Sequence, residues 1–385
     1  MNSSGRALRI VHVSADYPDP VDGFKTPVIR SLRDLVADRF DQDVISLNRV
    51  AASPGDLTSK NILRRDVPFD HGRAWAYAAP PLGILHRTRL EKLGDRLAEE
   101  LDSGPRPDLI VGHKLTVEGI AVARCAKRLD IPYAITVQGN TDCKIVASRP
   151  DLRRCFGAIL RGAAAVFCFA PWAWTRLGRT LDLGGREAIM LPCPTDVDTA
   201  IAPRTGDGSL VSVFHLHNWR GKNLRRLAGA ARQLPDGHRL AIIGGGSEAH
   251  RLAARRAVGT APDIVFEGPL DHSTLSARLN RATGFALPSL RESFGLVFVE
   301  ALFAGLPIVY PADTAVDGWF DGLPFAVRVD ARDADAIAAA MTRLVADEIA
   351  LKQELSEWQR SEDGRRFTRP AIAARFEAGL RAAIG

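Results

Sequence analysis

The 385-residue chain has 46% apolar and 25% charged residues; this length favours two ordinary globular domains, and the composition excludes disorder or a collagen-like repeat. Its net charge of +6 suits solubility, or attraction to an anion such as a nucleotide phosphate or an acidic membrane surface. Nucleic acid is disfavoured, because the basic residues are scattered without interleaved aromatics.

The start, MNSSGRALRIVHVSADY, passes from a polar tail into a strand-like run without the apolar region of a signal peptide, and no later stretch is apolar for long enough to span a membrane. From there strand and helix patterns alternate, the sign of βαβ units. LRIVHVSA (8–15) reads as the first strand. A turn-rich loop containing Gly23 and an amphipathic helix, VIRSLRDLVADRF (28–40), follow it. DQDVISLNR, DLIVGHK, PYAITVQG, AAVFCFA and AIMLPCP read as further strands. Residues 74–97 combine aromatics, an apolar patch and the basic side chains of His86, Arg87, Arg89 and Lys92. They read as an amphipathic helix, either packed on its own domain or lying on an anionic membrane.

The loop 192–209, rich in Pro, Asp, Thr and Gly, opens a second series: LVSVFHLH, RLAIIGGG, DIVFEG, TGFALPS, PIVYP and PFAVRVD. Domains are therefore placed at 1–195 and 205–365, with ligands expected at the carboxyl ends of the strands. The helical segment 366–385 can pack on either domain, including back on the first. Five cysteines, Cys125, Cys143, Cys155, Cys168 and Cys193, are odd in number and form no C-x-x-C pair. That argues against disulfides and a zinc site, and for a reducing cytoplasm.

Three stretches carry chemistry. In RESFGLVFVEALFAGLP (291–307), Ser293 is placed to cap a helix beginning near Phe294, Gly295 leaves its amides open, and Gly305 with Pro307 ends it. The interior is apolar on nearly every face, so the helix is expected to be buried and Glu300 with it. A buried carboxylate is costly unless satisfied. Glu300 either meets an arginine, or sits at a helix edge, or accepts hydrogen bonds from a polar ligand such as a ribose. Glu292 is either an exposed loop acid or a contact to a neutral polyol beside a phosphate at the helix N-terminus.

In FHLHNWRGKNLRRLAGAA (214–231), Lys222 is either a solvated lysine or a cation that neutralises a departing diphosphate. IIGGGSE (242–248) holds a glycine cluster around Gly244 but lacks the G-x-G-x-x-G pattern, and is a weak signal alone.

PSLRESFGLVFVEALFAGLPIV, with Glu292 and Glu300 separated by seven residues, resembles the signature of retaining GT-B glycosyltransferases, in particular the large family 4. The strand and helix spacing fits over nearly the whole chain. The resemblance implies an α/β fold of two Rossmann-like domains facing across a cleft, the first for the acceptor and the second for a nucleotide sugar. It implies that Glu292 holds the donor sugar, that Glu300 holds the ribose, and that the amides of Phe294, Gly295 and Leu296 approach the sugar and diphosphate. Lys222, Asn223 and Leu224 fit the family's diphosphate clamp, whose usual Gly-Arg is absent. His217 is nearest to it by spacing, and Arg220 offers charge from another backbone position.

Gly23 resembles the glycine loop over the diphosphate, Gly244 a turn at the donor cleft, and VFEGPL (265–270) the segment beside the base. Gln138, in ITVQGNTD, stands where the family has histidine, with His113 an alternative cleft histidine.

The implied activity is a hexosyltransferase-type glycosyl transfer (EC 2.4) with retention of configuration, from a nucleoside diphosphate sugar to an acceptor hydroxyl, in bacterial polysaccharide or glycolipid synthesis. Attack is expected on the front face, with the leaving phosphate taking the acceptor proton and Glu292, Lys222 and Gln138 as catalytic residues. No cofactor and no metal are expected. The partners implied are a nucleotide sugar, a glycan or lipid-linked acceptor, and an anionic membrane touched peripherally from the cytoplasm. Two rivals are a GT-B sugar-nucleotide epimerase, which should show clustered cleft acids and histidines, and a non-catalytic glycan- or partner-binding relative, which Gln138 and the missing arginine keep open.

Overall fold

A computed structural model of the chain describes residues 6–22, 25–59 and 61–385. Fourteen strands form among them: β1 (Arg9–Ser14), β2 (Asp41–Ala51), β3 (Leu63–Phe69), β4 (Gly72–Ala79), β5 (Leu109–Gly112), β6 (Tyr133–Val137), β7 (Ala165–Cys168), β8 (Ile189–Met190), β9 (Ser209–Val213), β10 (Arg239–Ile243), β11 (Ile264–Gly268), β12 (Gly284–Ala286), β13 (Ile308–Pro311) and β14 (Ala326–Val329). They build an eight-stranded sheet in the order β3-β4-β2-β1-β5-β6-β7-β8 and a six-stranded sheet in the order β11-β10-β9-β12-β13-β14. All neighbours run parallel except the hairpin pair β3 and β4.

The chain divides into two compact units. The first comprises residues up to Phe169, Ala173–Pro194 and Pro370–Gly385; the second comprises Ala170–Trp172 and Thr195–Arg369. In each, the central strands are buried along their length, as parallel strands covered by helices on both faces must be. Ile10, Val11 and Val13 of β1, and Leu240, Ala241, Ile242 and Ile243 of β10, have almost no exposed surface.

Strand order locates the sites. In the first unit β1 lies between β2 and β5, so the chain leaves β1 towards one side and β5 towards the other; in the second, β9 between β10 and β12 does the same. Such reversals open a crevice at the carboxyl ends of the two strands. The loops there carry Ala15–Asp16 and His113–Lys114 in the first unit, and residues 214–223 and 287–295 in the second.

Several expected elements differ. Residues 74–97 are not one helix: Ala74–Ala78 are buried in β4, and the helix spans His86–Asp102. β3 escapes notice because its burial barely alternates and it contains Pro68, which suits an edge strand. The helix expected over 28–40 stops at Asp34 and continues as tighter turns, with Val36 N–H bonded to Arg33 O at 3.2 Å and Arg39 N–H to Val36 O at 3.1 Å. The helix Arg369–Ile384 packs Phe376 against Phe167, ring centroids 5.0 Å apart, and its Glu377 pairs with Arg39. All five cysteines are free.

Candidate active site

In the second unit, the loops after β9 and β12 are tied together by their backbones. Leu290 N–H donates to Gly221 O at 2.9 Å. Asn223, in left-handed conformation at the start of the helix Leu224–Ala231, donates from Nδ2 to Pro288 O at 3.0 Å and Ala331 O at 2.6 Å. The adjacent Lys222 thereby reaches Glu292, and Nζ and Oε2 form an ion pair with both side chains largely covered. Thr314 Oγ1 fixes the Glu292 backbone, accepting from its N–H at 2.9 Å and donating to its carbonyl at 2.6 Å.

Ser293 does not cap the following helix. The helix spans Leu296–Phe303 and its cap is Gly295, at φ +77°, without a side-chain bond. A Cβ at Gly295 would lie 2.8 Å from the Phe298 ring and 3.0 Å from Glu292 Cγ, so glycine both permits the turn and leaves room for the acid. Among the described residues, the N–H groups of Phe294, Gly295 and Leu296 donate no hydrogen bond. The Phe294 side chain itself is in the core.

Glu300, on that helix, is half-buried and has no hydrogen-bond or ion-pair partner among the described residues. Burial pushes its pKa up, tempered by the charge of His272 and reinforced by Asp196. Among the described residues, then, no arginine meets it, although one of the readings from sequence placed one there. Gly244 lies behind the same strand ends: a Cβ there would sit 1.8 Å from Phe214 O, and its N–H donates to Gly268 O at 2.9 Å. Close approach of two backbones demands glycine at that point.

Arg220 is not brought to the ion pair. Its guanidinium stacks over the Trp219 ring at 4.4 Å. His217 instead meets His215, with Nδ1 atoms 2.5 Å apart.

The first unit holds a different kind of site. Gln138 donates from Nε2 to His113 O at 2.5 Å. Asp142, which the sequence did not single out, accepts from Gln138 N–H at 3.1 Å and from Thr116 N–H and Oγ1 at 3.0 and 2.8 Å. Burial raises the Asp142 pKa and these bonds only partly oppose it. His113 stacks on His12, with His12 Nδ1 2.9 Å from His113 Nε2 and His12 Nε2 2.8 Å from Gln42 Oε1. Burial lowers the His12 pKa to about 4 and holds that of His113 well below its ordinary value, so both are neutral in this packed pair.

Beside them Lys114 pairs with Asp16 at 2.6 Å. Glu118, fully buried, accepts from Ala15 N–H at 2.6 Å through Oε1, while Oε2 has no partner. Burial raises Glu118 to about 7 despite the pull of Lys114.

Gly23 lies outside the described residues. Near it, Asp19 collects Lys25 Nζ, Ser46 Oγ and Asn48 Nδ2 on one oxygen and Val21 and Asp22 N–H on the other. Burial would raise its pKa, but these bonds prevail and hold it at about 2. Of the basic residues proposed to face a membrane, Arg89 is buried, donating to Ala78 O and Asp56 O, and His86 bonds Thr116 O. No cluster of metal-ligating side chains occurs among the described residues, and no helix among them is long and apolar enough to cross a membrane.

The chain is similar in sequence and fold to known proteins. Residues 209–347 match the family described as glycosyl transferases group 1. Over 342 residues, 78% of this chain and 77% of the relative, the sequence is 29% identical to glycogen synthase of Mycobacterium tuberculosis strain H37Rv. It is 26% identical over 328 residues to the GDP-mannose-dependent alpha-(1-6)-phosphatidylinositol monomannoside mannosyltransferase of the same strain, covering 79% and 75% of the two chains. Sucrose-phosphate synthase from Thermosynechococcus elongatus shares the fold, with a TM-score of 0.69 at 20% identity over 97% of this chain and 98% of that one.

Proposed function

We infer that this chain, a nucleotide-sugar-dependent glycosyltransferase of the GT-B fold, transfers its sugar with retention of configuration to a glycan or lipid-linked acceptor. The observation that carries the reading is the Lys222–Glu292 pair at the β9/β12 reversal, beside unpaired amides and an unpartnered Glu300. A nucleoside diphosphate sugar supplies what each group lacks. Its diphosphate takes the ammonium of Lys222 and the amides of Phe294, Gly295 and Leu296, its ribose meets Glu300, and Glu292 turns to the sugar hydroxyls.

The C1–O bond to the diphosphate breaks as the acceptor oxygen bonds C1 on the same face, and the acceptor proton passes to the leaving phosphate oxygen. Charge grows on the diphosphate during this step, so Lys222 and the amides act most strongly in the transition state. Gln138, its amide nitrogen engaged with His113 O, keeps Oε1 to accept a hydrogen bond from a substrate hydroxyl. We carry the reading without a metal, since Lys222 and the helix terminus supply the positive field; activity unchanged by a chelator is the expected result.

Similarity to a glycogen synthase and a phosphatidylinositol mannoside mannosyltransferase supports a role in polysaccharide or glycolipid synthesis. A cytoplasmic protein touching an anionic membrane suits the exposed Leu82, Ile84 and Leu85 beside Arg87. Sedimentation with anionic vesicles tests that contact. The central test is release of nucleoside diphosphate from a panel of UDP-, GDP- and ADP-sugars, with and without acceptor, and NMR of the product anomer. An inverted product, or no turnover of any donor, would overturn the reading.

A further inference from the structure

Three histidines from three elements converge at the carboxyl ends of β9 and β10. His215 follows β9, His217 lies in the short turn Leu216–Asn218, and His250 occupies the first turn of the helix Glu248–Val258. Their ring centroids are 4.5, 6.1 and 6.4 Å apart. His217 sits five residues before Lys222 in the same loop.

The hydrogen bonds fix how protons are held. His215 Nδ1 accepts the backbone N–H of His217 at 3.3 Å, so it carries no hydrogen, and the 2.5 Å contact with His217 Nδ1 requires that His217 supply one. His250 Nδ1 is buried without a partner. The charged groups on the surrounding elements are engaged elsewhere: Glu248 with Arg251, Lys222 with Glu292, Arg220 and Arg225 over Trp219, Arg226 with Asn223 Oδ1, and Arg255 over Phe266. The segment Gly244–Gly246, packed against Leu216 and His250, carries no charge.

A proton added to this trio therefore meets other imidazoles, and among the described residues no carboxylate pairs with any of the three rings. Burial first, and then His217 and His250, hold the His215 pKa below its ordinary value. An anion placed among the rings reverses that balance, because it pays for the proton that the protein leaves uncompensated.

We propose that His215, His217 and His250 together form a subsite for the donor diphosphate, and that the donor binds there with uptake of at least one proton. The proposal rests on the donor-site reading above and adds two binding residues, His215 and His250, together with a coupling that a fixed arginine would not have. Donor affinity then falls as pH rises through the histidine range, by about tenfold per pH unit for each proton taken up.

The test is calorimetric titration of the full chain with UDP-glucose, GDP-mannose and ADP-glucose, whose diphosphates do not titrate near neutrality, in two buffers of different ionisation enthalpy. The expected result is buffer-dependent heat showing proton uptake, with weaker binding at about pH 8 than at about pH 6. His250→Gln and His215→Gln should reduce the uptake. His217→Arg should abolish most of it and raise affinity at the higher pH. Binding that is tight, independent of pH and free of proton uptake would overturn the histidine subsite while leaving the donor site standing. No binding of any donor at either pH would overturn both, and the wild-type measurement decides this without any variant having to fold.

Discussion

The two strand-end sites differ in how their polar groups are satisfied. In the first unit Asp142, Gln138, His12, His113, Asp16 and Lys114 bond one another or nearby backbone, so they chiefly hold loops in place. In the second, among the described residues, the Glu300 carboxyl, the amides before it and His250 Nδ1 have no partner, and the Lys222 ammonium has Glu292 alone. Buried polar groups are normally satisfied, so a cluster of exceptions marks where a ligand completes the structure. Glu118 Oε2 is one exception on the other side, a buried carboxyl oxygen without a partner among the described residues.

The comparison can be broken at its strongest point first. Lys222→Ala should lower kcat by about 100- to 1000-fold, the cost of removing one preorganised donor to a developing anion, with thermal stability little changed. Unaltered turnover would show that the diphosphate does not rest on this lysine. Glu118→Gln sharpens the other side. The folded protein keeps the Glu118 proton up to about pH 7, whereas the unfolded chain loses it near the ordinary glutamate value of 4.5. The resulting penalty is absent below that lower value, grows as pH rises, and is complete above about 7, where it amounts to roughly 3 kcal/mol. The variant should flatten the decline in unfolding free energy between these limits; denaturant titrations at a series of pH values measure it.

Glu300→Gln should weaken nucleotide binding by about 10- to 100-fold, as expected for hydrogen bonds to a charged acceptor. Equal affinity in calorimetry would remove the ribose from this helix. The smallest effect belongs to Gln138→Ala, which frees His113 O at a cost of about 1 kcal/mol. A small drop in Tm without loss of donor binding is expected, together with slower transfer if Oε1 meets the sugar.

Much of this was legible before any coordinates. The parallel strands are short apolar runs ending at glycine or polar residues, and Lys222, Glu292 and Glu300 declare themselves because charge interrupts apolar sequence at fixed spacing. β3 was not legible, since Leu63–Phe69 carries Arg64, Arg65 and Asp66 in succession and then Pro68, which leaves no alternating apolar face to read. Nor was the cap at Gly295: Ser293 has the right chemistry, but the left-handed turn two residues later moves the helix start beyond its reach. Pairing lies outside what periodicity encodes. A sequence shows that Glu300 is inside a helix, and only the packing shows that no arginine comes to meet it. His250 is 33 residues from His217 and joins it only because β10 lies beside β9.

The helix Arg369–Ile384 completes the first unit although it is made after the whole of the second. During synthesis Phe167 therefore waits, its edge uncovered, while some two hundred residues emerge before Phe376 arrives to cover it. The first unit cannot mature ahead of its neighbour, and nascent chains stalled within the second should present the Phe167 surface to chaperones.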